Sequence, residues 1–120
     1  MFMLDKIDSL RYVDFKPSVF WCLKEPGYIY YRVEDFGWLA IHDRPEGLEI
    51  HFRFEDKPTP RQTIRSKQIC QKLFDEAARL GYKKVFTFTV TKAYNPMWAK
   101  YVEFVGFKEP RTLMVSEKEV

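Results

Sequence analysis

The chain has 120 residues, of which 46% are hydrophobic and 18% aromatic, enough for one domain with a real core and too few for two. A formal charge of +3 neither requires nor excludes an anionic partner, and no basic tail of a dedicated nucleic-acid binder is present. No run approaches the roughly 20 apolar residues that span a membrane, and Asp5 and Lys6 interrupt Met1-Phe2-Met3-Leu4 before it could form a signal-peptide core.

From residue 4 to 23, Leu4, Ile7, Leu10, Val13 and Phe15 recur at mostly helical spacing until Pro17-Ser18 breaks the pattern, which predicts one or two short helices. Pro26-Gly27 is a turn. Residues 28–33 then read as a strand, 37–42 as its hairpin partner and, after Arg44-Pro45-Glu46-Gly47, 48–54 as a third strand. In this third strand Leu48, Ile50, Phe52 and Phe54 share the face expected to meet the core, while Glu49, His51 and Arg53 share the other, expected to be free for chemistry.

Thr59-Pro60-Arg61-Gln62 has the form of a capping box with proline at the first helical position. Ile69, Leu73, Phe74, Ala77 and Leu80 make the apolar stripe of the helix that follows, and Gly81 ends it. A strand over 84–91 comes next. Asn95-Pro96 opens a second helix that Gly106-Phe107 closes, and Thr112-Leu113-Met114-Val115 is the final strand. Strands 48–54 and 84–91, joined by a long helical crossover, should be parallel neighbours, so the sheet of this single α/β (α+β) domain is predicted to be mixed. Cys22 and Cys70 have no metal-ligand spacing and fall in segments that read as buried; reduced structural thiols, no metal and a cytosolic setting are expected.

This order, with the residues at its joints, resembles the GNAT superfamily of N-acetyltransferases over about 28–115, the remaining helical segment 4–23 lying before it. Asn95 through Gly106-Phe107 is similar to the family's segment in which an asparagine begins a helix and a Gly-Phe pair ends it eleven residues on. Leu48-Glu49-Ile50-His51-Phe52 followed by the long helix resembles its acetyl-CoA motif. The resemblance implies a splayed sheet with helices on both faces, and acetyl-CoA and an acceptor amine, small-molecule or protein, meeting in the gap between the parallel strands.

Aligning Leu73-Phe74 on the family's leucine pair puts its pyrophosphate loop on Arg65-Ser66-Lys67-Gln68-Ile69-Cys70, with Gln68 and Cys70 where glycines are usual. Phe52 and Phe54 would then meet the cofactor along the strand, with Asn95 beside it. The family's general-acid tyrosine falls on Val102, next to Tyr101. Small acetyltransferase-like proteins of tailed bacteriophages, some of them virion components, share such eroded loops. A catalytically inactive binding or structural protein is therefore the alternative to an acetyltransferase, with a virion the alternative location, and a homo-oligomer stays open.

Each candidate has a second reading. The cations Arg61, Arg65, Lys67 and Lys72 are either an anion site or a solvated face. Glu49 and His51 are either a general base or cross-strand partners of Arg32 or Arg53. Asn95 contacts cofactor or only caps its helix, and Tyr101 is a catalytic acid or a core aromatic. The alternating phenylalanines of 84–91 are similar to the aromatic strand of RNA-recognition motifs, but here that strand follows a helix, and a core face explains it more simply.

Overall fold

The computed structural model of the protein describes residues 7–88, Lys100, Tyr101, Phe104 and 115–119. The strands β1 (Leu10–Val13), β2 (Ile29–Val33), β3 (Gly37–Arg44), β4 (Gly47–Phe54), β5 (Lys84–Phe88) and β6 (Val115–Glu119) form one sheet in chain order. Pairing is antiparallel from β1 to β4, parallel between β4 and β5, and antiparallel again between β5 and β6. The sheet is mixed, with the parallel pair at the helical crossover, because a strand re-entering a sheet after a full-length helix arrives in the original direction.

The crossover helix α1 (Pro60–Arg79) begins as its sequence predicts. Thr59 Oγ1 accepts from the Gln62 amide at 3.1 Å and Gln62 Oε1 accepts from the Thr59 amide at 3.0 Å. It ends where Gly81, at φ +94°, allows the Gly81 and Tyr82 amides to turn back onto the Ala78 and Ala77 carbonyls. The face of α1 carrying Ile69, Cys70, Leu73, Phe74 and Ala77 packs on Tyr31, Val33, Leu39, Ile41, Leu48, Ile50 and Val85. Leu80, assigned to that stripe, is exposed, because it sits at the cap, past the last helical turn.

Two expectations are corrected. The segment predicted as helical contains β1, whose Leu10 and Val13 pair with Val33 and Tyr30 of β2; the helical spacing of its apolar residues is outweighed by a free sheet edge offering backbone partners. A single 3-10 turn, Ser18–Phe20, follows it. The final strand does not end at Val115 but runs on to Glu119; residues 112–114 lie outside the described residues. Lys100, Tyr101 and Phe104 are helical, within the segment assigned to the second helix; Asn95 and Gly106 lie outside the described residues.

The second face of the sheet is covered, among the described residues, by the 3-10 turn and the chain after it. Phe20 and Leu23 pack on Ala40, with Val19, Cys22, Tyr28, Tyr30 and Trp38 around them. Because of this cover β4 is buried on both faces over Gly47–His51 and opens only toward Phe54.

Gly47 begins β4 at φ +153°, and a Cβ there would stand 2.5 Å from the Lys84 carbonyl oxygen at the start of β5. Gly47→Ala is therefore expected to lower unfolding free energy by about 1–3 kcal/mol, read from urea unfolding. Gly81→Ala, where a Cβ meets nothing within 4 Å, should cost only the backbone strain, about 1 kcal/mol.

Candidate active site

Three polar side chains of the second face, Tyr28, Arg44 and His51, converge on Glu49. The period of β4 puts Glu49 and His51 on one face, where their side chains are 1% and 2% exposed. His51 Nε2 lies 2.6 Å from Glu49 Oε2, which also accepts a bond from the Tyr28 hydroxyl, while Arg44 Nε donates to Glu49 Oε1 at 2.8 Å. Arg44 extends the network outward to Glu25 at 2.9 Å. On the other side His51 Nδ1 faces Thr87 Oγ1 of β5 at 3.4 Å.

Position in the chain explains the convergence. Arg44 ends β3 and pairs with Gly47 across the tight turn, so its long side chain reaches forward along β4. Tyr28 stands just before β2, with its ring edge-on to His42 at 4.9 Å. Thr87 arrives from β5, whose ladder with β4 joins Leu48 to Val85 and Glu49 to Phe86. The cluster thus sits at the end of that described ladder.

Burial alone would raise the Glu49 carboxyl, but bonds from His51, Tyr28 and Arg44 outweigh it and hold the group down at about 2. Burial lowers His51 by more than Glu49 raises it, so the imidazole is neutral near pH 7. Tyr28 is raised by burial and by Glu49, and stays a donor. An ionised Glu49 accepts only a proton-bearing Nε2, which leaves the His51 lone pair on Nδ1, toward Thr87. An acid that orients a neutral imidazole in one tautomer leaves the other ring nitrogen as the one able to accept a proton.

This face is not open, as the alternation of β4 suggested, but covered by the chain around Phe20 and Leu23. Nor are Arg32 and Arg53 the partners of Glu49: Arg32 pairs with Glu55 at 3.1 Å. Tyr28, Arg44 and Thr87 were missed. Tyr28 and Arg44 fall at strand ends, where alternation gives no bearing, and only the Arg44-to-Gly47 turn hinted that an arginine would fold back on β4.

The other candidates lie on the α1 side of the sheet. Arg65, Ser66, Lys67, Gln68, Ile69 and Cys70 are not a loop but the interior of α1, where backbone amides belong to the helical ladder. Arg65 Nη2 contacts Glu34 and Ser9, each at 2.8 Å, and its Nη1 donates to Gln68 at 3.1 Å. Lys67 lies over the Phe104 ring at 4.7 Å. Ile69 and Cys70 are core, and burial pushes the Cys70 thiol up to about 12.

Ser66 is fully buried, donating to the Thr63 carbonyl at 2.6 Å and accepting from the Tyr101 hydroxyl at 2.9 Å. Tyr101 packs on Phe52 and Phe54, with ring centroids 6.3 and 5.6 Å away, and burial raises its hydroxyl far above the ordinary range. Phe52 and Phe54 are the even-numbered side chains of β4, so Tyr101 and the pair Glu49–His51 approach the strand from opposite faces. The structure does not bring the three together.

The start of α1 bears on the expected acetyl-CoA. A glycine-lined pyrophosphate loop has no counterpart, since Thr59 occupies the Gln62 amide; the cations exposed there are Lys57 and Arg61. Among the described residues no helix is long and apolar enough to cross a membrane and no group of metal-binding side chains occurs.

No family model and no curated protein matches the chain. It is similar to the crystal structure of a domain from Methanocaldococcus jannaschii DSM 2661, with a TM-score of 0.60 and 15% identity over 96% of this chain and 84% of that one. At that identity the likeness is one of fold.

Acid should unfold the protein through this cluster. Both groups are held below their ordinary values, so the unfolded chain binds more protons and stability falls with pH, first below about 6.5 for His51 and then from about 4.5 down to about 2 for Glu49. Urea midpoints from pH 8 to 3 should fall on that course, and a His51→Gln protein should lack its first part.

Proposed function

We propose that the protein is an acetyl-CoA-dependent N-acetyltransferase of GNAT type, acting on a primary amine, with β4 and β5 parting beyond Glu49 and Phe86 to form the reaction gap. The supporting observation is the buried, hydrogen-bonded pair of Glu49 and His51 at the end of the parallel ladder. Phe52 and Phe54 would line the acyl arm on the α1 side, and Lys57 and Arg61 would face the phosphates. Acetyl-CoA supplies a thioester whose C–S bond breaks as the C–N bond to the acceptor forms, the thiolate taking the electron pair. Glu49 holds His51 in the tautomer that accepts the amine proton at Nδ1. Tyr28 and Arg44 keep Glu49 charged, so that the imidazole alone changes protonation.

Titration of the melting temperature with acetyl-CoA tests this, since a ligand of the folded state alone must raise it. The rise should shrink in Arg61→Ala, more so at low salt, where exposed charges act furthest. Acetyl transfer should fall by about 10²–10⁴ in His51→Gln.

A second reading is a catalytically inactive GNAT-type protein with a binding or structural role, as in a bacteriophage particle. It is favoured by the self-capped start of α1 and the engagement of Arg65 with Glu34. An unchanged melting temperature at saturating acetyl-CoA would decide for it.

A further inference from the structure

The polar face of β4 does not end at His51. Arg53 follows on the same face, and burial falls along the row: Glu49 and His51 are fully buried whereas Arg53 is half-buried. Along β4 itself the row opens toward Arg53.

Among the described residues Arg53 is also set apart as a half-buried arginine without an ion pair; Arg11 and Arg61 have none either, but they are exposed. Arg32, Arg44, Arg65 and Arg79 each hold a glutamate within 3.1 Å. Among the described residues no carboxylate lies in salt-bridge reach of Arg53, whose Nη1 donates instead to the neighbouring Phe52 carbonyl at 3.2 Å. Its cross-strand partner Trp38 is occupied by Arg32, which lies 4.4 Å from the ring centroid. Burial lowers the Arg53 guanidinium, with the Cys22 thiol the opposing influence, and its charge is felt at His51. A partly desolvated cation with no acid is a net cost to folding. An anion from solution would remove that cost.

We propose that Arg53 receives a carboxylate carried by the acceptor, so that the substrates are small amino acids whose amine reaches His51 while their acid group stays at the mouth of the row. The inference rests on the transferase reading above. One guanidinium presents a planar fork that matches a carboxylate in two bonds. Two residues along a strand span about 7 Å, which suits an amine and a carboxylate about three or four carbons apart.

The probes are 4-aminobutyrate, butyrate and butylamine, used with the full chain. Both carboxylates should raise the melting temperature of the wild-type protein and butylamine should not; in Arg53→Gln the rise should vanish. With acetyl-CoA present, transfer to 4-aminobutyrate should exceed transfer to butylamine by at least about tenfold, and Arg53→Gln should bring the ratio near one. Arg53→Gln removes a charge that has no acid partner among the described residues and keeps a donor for the Phe52 carbonyl, so it should fold; Arg53→Lys, with charge but no fork, should show a reduced rise. A carboxylate-dependent rise that survives in Arg53→Gln, or a ratio that the substitution leaves unchanged, overturns the proposal. Loss of the rise in Arg53→Gln without transfer to either amine keeps the carboxylate site and refutes the transferase reading instead.

Discussion

Glu49 is an acid on a strand covered on both faces, where water cannot solvate it, and the second face of the sheet is organised around keeping it charged. Three side chains donate to its two oxygens: Tyr28 from the approach to β2, Arg44 from the end of β3, and His51 from β4 itself. A charge in such a place is tolerable only when its acceptor capacity is filled. The same bonds tie the start of the meander to its third turn, and set the tautomer of His51 and hence the direction of its lone pair.

The α1 side answers to different physics. There the contacts are apolar, and polar groups are matched in short local sets: Tyr101 on Ser66, Ser66 on Thr63, Arg65 on Glu34 and Ser9. Glu34 holds its end of this arrangement from a left-handed backbone at φ 47°, a conformation that costs a non-glycine residue about 1 kcal/mol or more. Its position in the β2–β3 turn lets the carboxylate reach α1. The cations that look ready for a phosphate in the sequence are thus divided: Arg65 is engaged with the sheet edge, Lys67 lies over Phe104, and Arg61 and Lys72 are exposed.

Much of the fold was legible because its signals are local. The alternation of β4, the capping box at Thr59 and the glycine after Leu80 each act within a few residues, and each led to the right element. β1 was not legible, since four residues at an edge take their structure from β2, and nothing in Leu10-Arg11-Tyr12-Val13 announces that partner. Assigning a loop to residues 65–70 conflicted with evidence in the same stretch: a capping box at Thr59 already starts the helix before Arg65. Glu49 and His51 emerged from period-two alternation. Their burial did not, because the chain that covers them, around Phe20 and Leu23, has no periodic pattern to declare which surface it lies on.

The contact between Gly47 and the Lys84 carbonyl also bears on how the chain can assemble. The antiparallel strands β1 to β4 pair with sequence neighbours, whereas β5 reaches β4 only after a crossover of about 30 residues has closed, which is slow on entropic grounds. On the ribosome the meander emerges first and must wait with the apolar side of β4 uncovered until α1 arrives. That interval is when the nascent protein is most exposed to aggregation. The lack of a side chain at Gly47 leaves β5 room to dock at the root of β4 when it arrives.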